Sequence, residues 1–382
     1  MKNRKYIPLL VLLLAMLGIQ ACIDTFSPPE VNSDEGFLVV DGFLNLSADT
    51  SMIALRHSQN INAEVNPSVE SGARLKVETE QGESYAFSEI GGGKYILPPV
   101  VFSTAQKYRL DIVTRDGRHY QSEFVTAVST PEIDSIGAKV DENRNAMVFS
   151  VNTHDNTGKT RFYRWTFEET YEYNAPLYSA IEAVGDLEQG TREIIDRQEN
   201  IYTCWRSGKS TNIMLGSTIK LSKDEIKDLP INIVEIGTRK LLIRYSLLVK
   251  QFGLTREEFE YWTDLSKTTQ STGSLFDPLP SQVTGNIRNV DDNKELVFGY
   301  FGAAKAVSKR IFISPRLGRP EVCLMDTMPA TVCGNPMQEC ALETSKLLVN
   351  YLDEVSVLAA SPYCLDCRVQ GGTTVKPSFW KF

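Results

Sequence analysis

Cysteine is the residue type best placed to do chemistry in this chain of 382 residues, which holds seven of them. Cys22 closes the run Ile19-Gln20-Ala21-Cys22: an aliphatic residue, a free position, a small residue, then cysteine. That order resembles the site at which a bacterial lipoprotein precursor is cut and its cysteine thiol acylated. The other six are Cys204, Cys323, Cys333, Cys340, Cys364 and Cys367, and five of them lie after residue 320. An even number in an exported chain reads as up to three disulfides, for which 15 connectivities exist. The spacing Cys364-x-x-Cys367 also suits a redox-active dithiol or half of a zinc site. Against zinc, none of the three histidines (His57, His119 and His154) is near this pair in sequence. Against redox chemistry, the pair does not open a helix after a strand.

Other catalytic signatures are missing. The chain has no G-x-S-x-G elbow, no His-Glu-x-x-His and no phosphate-cradling G-x-x-x-x-G-K. Its 48 acidic residues supply many carboxylate pairs. Glycoside hydrolysis needs two of them at a set separation, which only a fold can provide. Asp155-Asn156-Thr157 and Asp291-Asp292-Asn293 place oxygen donors together, as calcium loops and ordinary turns both do. The expectation is a non-enzymatic protein with no catalytic residues, cofactor or metal.

The elements that must carry these residues begin with a signal. Residues 1–21 have a basic start (Lys2, Arg4, Lys5) and an apolar run from Ile7 to Leu17, which is too short to span a bilayer core. Residues 22–35 contain Pro28-Pro29 and read as a lipidated tether. Loss of the signal would leave 37 basic against 48 acidic residues, a net charge of −11. Such a surface repels phosphate backbones, so nucleic acid is not an expected partner. Membrane affinity must come from acyl chains, two or more of which give a lasting anchor.

Residues 36–128 hold short alternating segments between glycine-rich turns, the pattern of an immunoglobulin-like β-sandwich. After Ser129-Thr130-Pro131, residues 131–382 predict a larger β-rich domain with a cysteine-rich C-terminal part. In it, Tyr163, Trp165, Phe167, Tyr171 and Tyr173 share one strand face, suited to stacking on sugar rings or to packing in a core. A helix is predicted near 255–269, capped by Thr255 with Glu258 completing a capping box. Phe259, Trp262 and Leu265 fall on its apolar face. Residues 343–358 carry a second, weaker helical pattern. The fold class expected is mainly β.

Several stretches resemble the domain-of-unknown-function 4249 family of Bacteroidota outer-membrane lipoproteins. They are LVVDGFLN (38–45), RFYRWTFEETYEY (161–173), YTCWRS (202–207), EEFEYWTDLSK (257–267), GSLFDPLPSQVTGNI (273–287), VFGYFGAAKAVSKRIFI (297–313) and YCLDCRVQGGTTVKPSFW (363–380). The resemblance runs from about residue 23 to the C-terminus. It implies an outer-membrane lipoprotein, on the surface or the periplasmic face, and carries over no catalytic residue. Family members often accompany TonB-dependent receptors, so such a receptor is the implied partner, with Trp262, Phe276, Tyr300 and Phe301 as contact candidates. An adhesin or envelope-structure role is the alternative, followed by a glycan or peptide hydrolase.

Overall fold

The structure, a computed structural model, describes residues 36–47, 49–59, 67–186, 191–270, 283–331, 340–342 and 344–381. Cys22, Cys333, Phe276 and the expected signal and tether lie outside the described residues. The chain is mainly β.

The first body is two facing sheets. Strand Ser51–His57 turns Ser51, Ile53 and Leu55 inward and leaves Met52 and Arg56 in solvent. It pairs with Leu38–Gly42 on one side and Lys94–Leu97 on the other. The opposite sheet centres on Arg74–Thr79 and Lys107–Val113. Alternation on both sheets sends Val40, Ile53, Leu55 and Tyr95 against Val77, Tyr108, Leu110 and Ile112 in one core. A segment 160 residues downstream finishes this body. Ile287–Asn289 extends the second sheet beside His119–Ser122, and Ala303–Ala304 runs parallel to Leu44–Asn45. Val297, Phe301 and Ala303 enter the same core. Gly299 permits this close return: at φ +119°, a Cβ there would fall 2.0 Å from the Val40 carbonyl oxygen. The expected span of 36–128 therefore omits part of its own core.

The second body is also a pair of sheets around one core. One sheet is Ile133–Asp141, Ala146–His154 and Glu225–Glu235. The other is built on the long strand Phe162–Asn174, flanked by Arg244–Gly253 and Thr203–Lys209, with Val307–Ile313 beyond. Period two turns Tyr163, Trp165, Tyr171 and Tyr173 inward, where all four are buried. They form a packed core face, so a sugar platform on these rings is ruled out. The indole N–H of Trp165 donates to Gln251 Oε1 at 2.8 Å, and Gln251 in turn donates to the Pro131 carbonyl and Thr153 Oγ1. That network satisfies the buried polar atoms and ties the linker to the core.

A third, smaller core joins the hairpin Ile181–Val184 and Glu193–Asp196 to strands Asp326–Pro329, Leu347–Tyr351 and Ser356–Ala360. The helix expected over 343–358 is thus a β-hairpin. Val349, Val355 and Val357 favour extended backbone. The Asp353 carboxylate accepts the Val355 N–H to fix the turn.

Candidate functional site

The cysteines staple the fold. Cys204 bonds to Cys367 and Cys323 to Cys364, so each member of the C-x-x-C pair is joined to a distant partner. Neither a redox dithiol nor a zinc half-site remains there. Cys340 is disulfide-bonded as well. The bond from Cys367 holds residues 362–381 as a strap along the second body. The Tyr173 hydroxyl donates to the Cys367 carbonyl, Trp205 and Thr373 pair through their backbones, and the Trp380 indole donates to Glu172.

The Asp/Asn clusters are turns. Both carboxylate oxygens of Asp155 are occupied by N–H donors of its own loop, from Thr157, Lys159 and Thr160. Asn289 Oδ1 receives the N–H groups of Asp291 and Asp292 in the same way. Among the described residues, no group of three His, Cys, Asp or Glu side chains is arranged to hold a metal ion.

What the fold does assemble is a cleft of about 630 Å³ where the two bodies meet. Helix α1, Arg256–Gln270, forms one wall. Its cap is as expected: Thr255 Oγ1 accepts the Glu258 N–H at 3.2 Å. The capping box stops there, because the Glu258 side chain turns inward and is buried. Glu257, Glu260, Tyr261 and Asp264 repeat at i, i+3, i+4 and i+7, and this second stripe lines the cleft. Lys107, Glu123 and Phe124 of the first body and Tyr300 of the returning segment face it, with Lys107 paired to Glu80. The Tyr261 and Tyr300 rings lie 5.3 Å apart. Burial pushes both phenols up to about 12, so each keeps its O–H near neutral pH. Asp264 pairs with Lys267 and Glu123 with Arg288. Glu257 and Glu260 have no ion-pair partner among the described residues. The cleft can hold a cationic group between carboxylates and aromatic faces.

Beneath the helix, Arg164 from the long strand is clamped between the Trp262 ring, 4.1 Å from its centroid, and the Phe252 ring at 5.1 Å. Phe252 meets Phe43 of the first body edge-on at 4.9 Å. The stack therefore runs from one body through the other to the helix.

The contact candidates fare differently. Tyr300 lines the cleft. Trp262 is half-buried and occupied by Arg164. Phe301 is fully buried in the first core and cannot touch a partner, since inward alternation beside Leu44 places it there. Sequence reading missed Glu257, Glu260 and Tyr261, although their helical spacing opposite the apolar stripe was visible. Arg164 gave no such signal.

The family model for "Domain of unknown function (DUF4249)" matches residues 23–310, so the strap and the three C-terminal strands of the third core fall beyond the matched span. No curated protein matches. Among solved structures, a two-domain fibronectin type-III segment of chicken tenascin is 15% identical, covering 57% of this chain and 90% of that one at a TM-score of 0.15. A Salmonella alpha-2-macroglobulin mutant is 9% identical, covering 85% and 16% at 0.17. The Yersinia pseudotuberculosis adhesin InvE is 10% identical, covering 56% and 54% at 0.15. At these scores none of the three supports a conclusion about this chain.

Proposed function

The chain belongs to the DUF4249 family, and from that premise we propose a non-enzymatic binding protein: a lipoprotein anchored to the outer membrane through Cys22, accessory to a TonB-dependent receptor in nutrient uptake. The observation that carries this reading is the cleft between the two bodies, whose wall offers Glu257, Glu260, Tyr261 and Tyr300 to a ligand or partner. Those groups bind and orient. Glu258, whose carboxyl burial pushes up to about 7, is buried under the helix and does not line the cleft.

The run Ile19-Gln20-Ala21-Cys22 supports the proposed anchor. An acyl anchor confines the body to a thin layer beside membrane partners, raising their effective concentration, so a weak direct interface suffices. No helix among the described residues is long and apolar enough to cross a membrane. Two experiments test the proposal. Labelled palmitate should enter the wild-type protein and not Cys22→Ser, which should leave the membrane fraction. A TonB-dependent receptor should accompany the wild-type protein through purification in mild detergent. Its absence from that complex would defeat the partner assignment, and a Cys22→Ser form still held at the membrane would defeat the anchor.

A further inference from the structure

We propose that Glu258 and Arg164 form a proton-controlled joint between the two bodies: release of the Glu258 proton loosens the seat of helix α1 on the first body.

The geometry is that of an under-satisfied buried pair. The Glu258 carboxyl lies against Gly302 of the returning segment, close enough that a Cβ there would sit 2.6 Å from either oxygen. Its one hydrogen-bond donor among the described residues is the Trp262 indole, at 3.3 Å. Arg164 makes no ion pair among the described residues, and its Nε is buried without a hydrogen-bond partner. The acid and the guanidinium thus sit in one dry region without closing a salt bridge. A neutral carboxyl tolerates this place, whereas a carboxylate there has lost its water and gained one weak donor. It gains stability by approaching Arg164 or by admitting water, and either movement shifts the helix against Gly302.

The surroundings agree with this. Burial pushes the Glu258 carboxyl up to about 7, with Arg164 opposing that rise. Burial also lowers the Arg164 guanidinium from its ordinary range. The other groups facing the joint are Asp41 from the first strand, Tyr300 from the returning segment, and Glu257 and Tyr261 from the helix itself. None of these supplies a second cation, so ionisation of Glu258 is answered by Arg164 alone.

The test is hydrogen exchange in the full chain between about pH 5.5 and about pH 8.5, corrected for intrinsic rates, with Trp fluorescence measured in parallel. Protection of 256–270 should fall with rising pH around a midpoint near 7 while that of 162–174 holds, and Glu258→Gln should abolish the dependence. The fluorescence change should follow the same midpoint and vanish in Trp262→Phe, a readout that stands even if Glu258→Gln fails to fold. A pH-independent helix in the wild type, a dependence that persists in Glu258→Gln, or a fluorescence change surviving Trp262→Phe would each overturn the proposal.

Discussion

The two large bodies solve the same problem by different means. Both are pairs of sheets around one core, and both are incomplete without a distant stretch of chain. The first recovers 287–304 by backbone pairing and by burying Phe301, with no covalent link. The second recovers its strap through the Cys204–Cys367 disulfide, over a sequence separation of 163. A segment that inserts four apolar side chains and strand hydrogen bonds gains enough to stay. The strap follows few strand pairings and buries Cys367 and Trp380 against the sheet, so a covalent bond substitutes for missing contact area. The contrast shows why cysteines concentrate at the C-terminal end.

This difference can be broken most strongly at the disulfide. Closing a loop of that length is worth roughly 5 kcal/mol in the chain-entropy picture, against about 4 kcal/mol for Cys323–Cys364. A Cys204→Ala, Cys367→Ala double variant should lower the urea midpoint of the second body, read by fluorescence of Trp165 and Trp205. Reduction with a thiol should do the same and leave the first body's transition in place. If both bodies shift equally, they are one cooperative unit and the contrast fails.

The matching change in the first body is Phe301→Ala, which empties a fully buried aromatic site and should cost about 3–5 kcal/mol. Its effect on urea unfolding should appear in the first body and be insensitive to thiol. A smaller effect comes from the joint between them. The Glu258 carboxyl rises from 4.5 to about 7 in the folded protein. A group bound more tightly to its proton in the native state gives stability that is present at low pH and is lost as pH rises through that window. Roughly 3 kcal/mol should disappear from about pH 4.5 to about pH 7 and then level off, with Glu258→Gln flat over that range. The smallest stability effect belongs to Glu257→Lys with Glu260→Lys. These exposed groups should alter unfolding by no more than about 0.5 kcal/mol each while weakening partner binding.

Much of the fold was legible because burial on one sheet face writes itself into alternate residues. The shared face of Tyr163, Trp165, Tyr171 and Tyr173 was legible for that reason, and all four are buried. The Thr255 cap was legible too, because it is a local hydrogen bond. What escaped was non-local. No periodicity marks 287–304 as belonging to a core begun 250 residues earlier. Phe301 looked like a contact residue because an isolated aromatic does not reveal which side of a backbone it faces. Glu258 matched a capping box by spacing, and the inward turn that makes it part of the joint depends on Gly302. Residues 343–358 misled because Leu347, Leu348 and Tyr351 imitate helical spacing in a stretch that hydrogen bonding bends into a hairpin.

The cleft beside helix α1 is proposed to bind a partner at the membrane. Its most direct test is purification of wild-type protein and the Glu257→Lys, Glu260→Lys variant from native membranes in mild detergent, with the co-purifying receptor quantified for each. The account expects a TonB-dependent receptor with the wild type and its loss with the folded, membrane-bound variant. Equal recovery with both, or with neither, would contradict it.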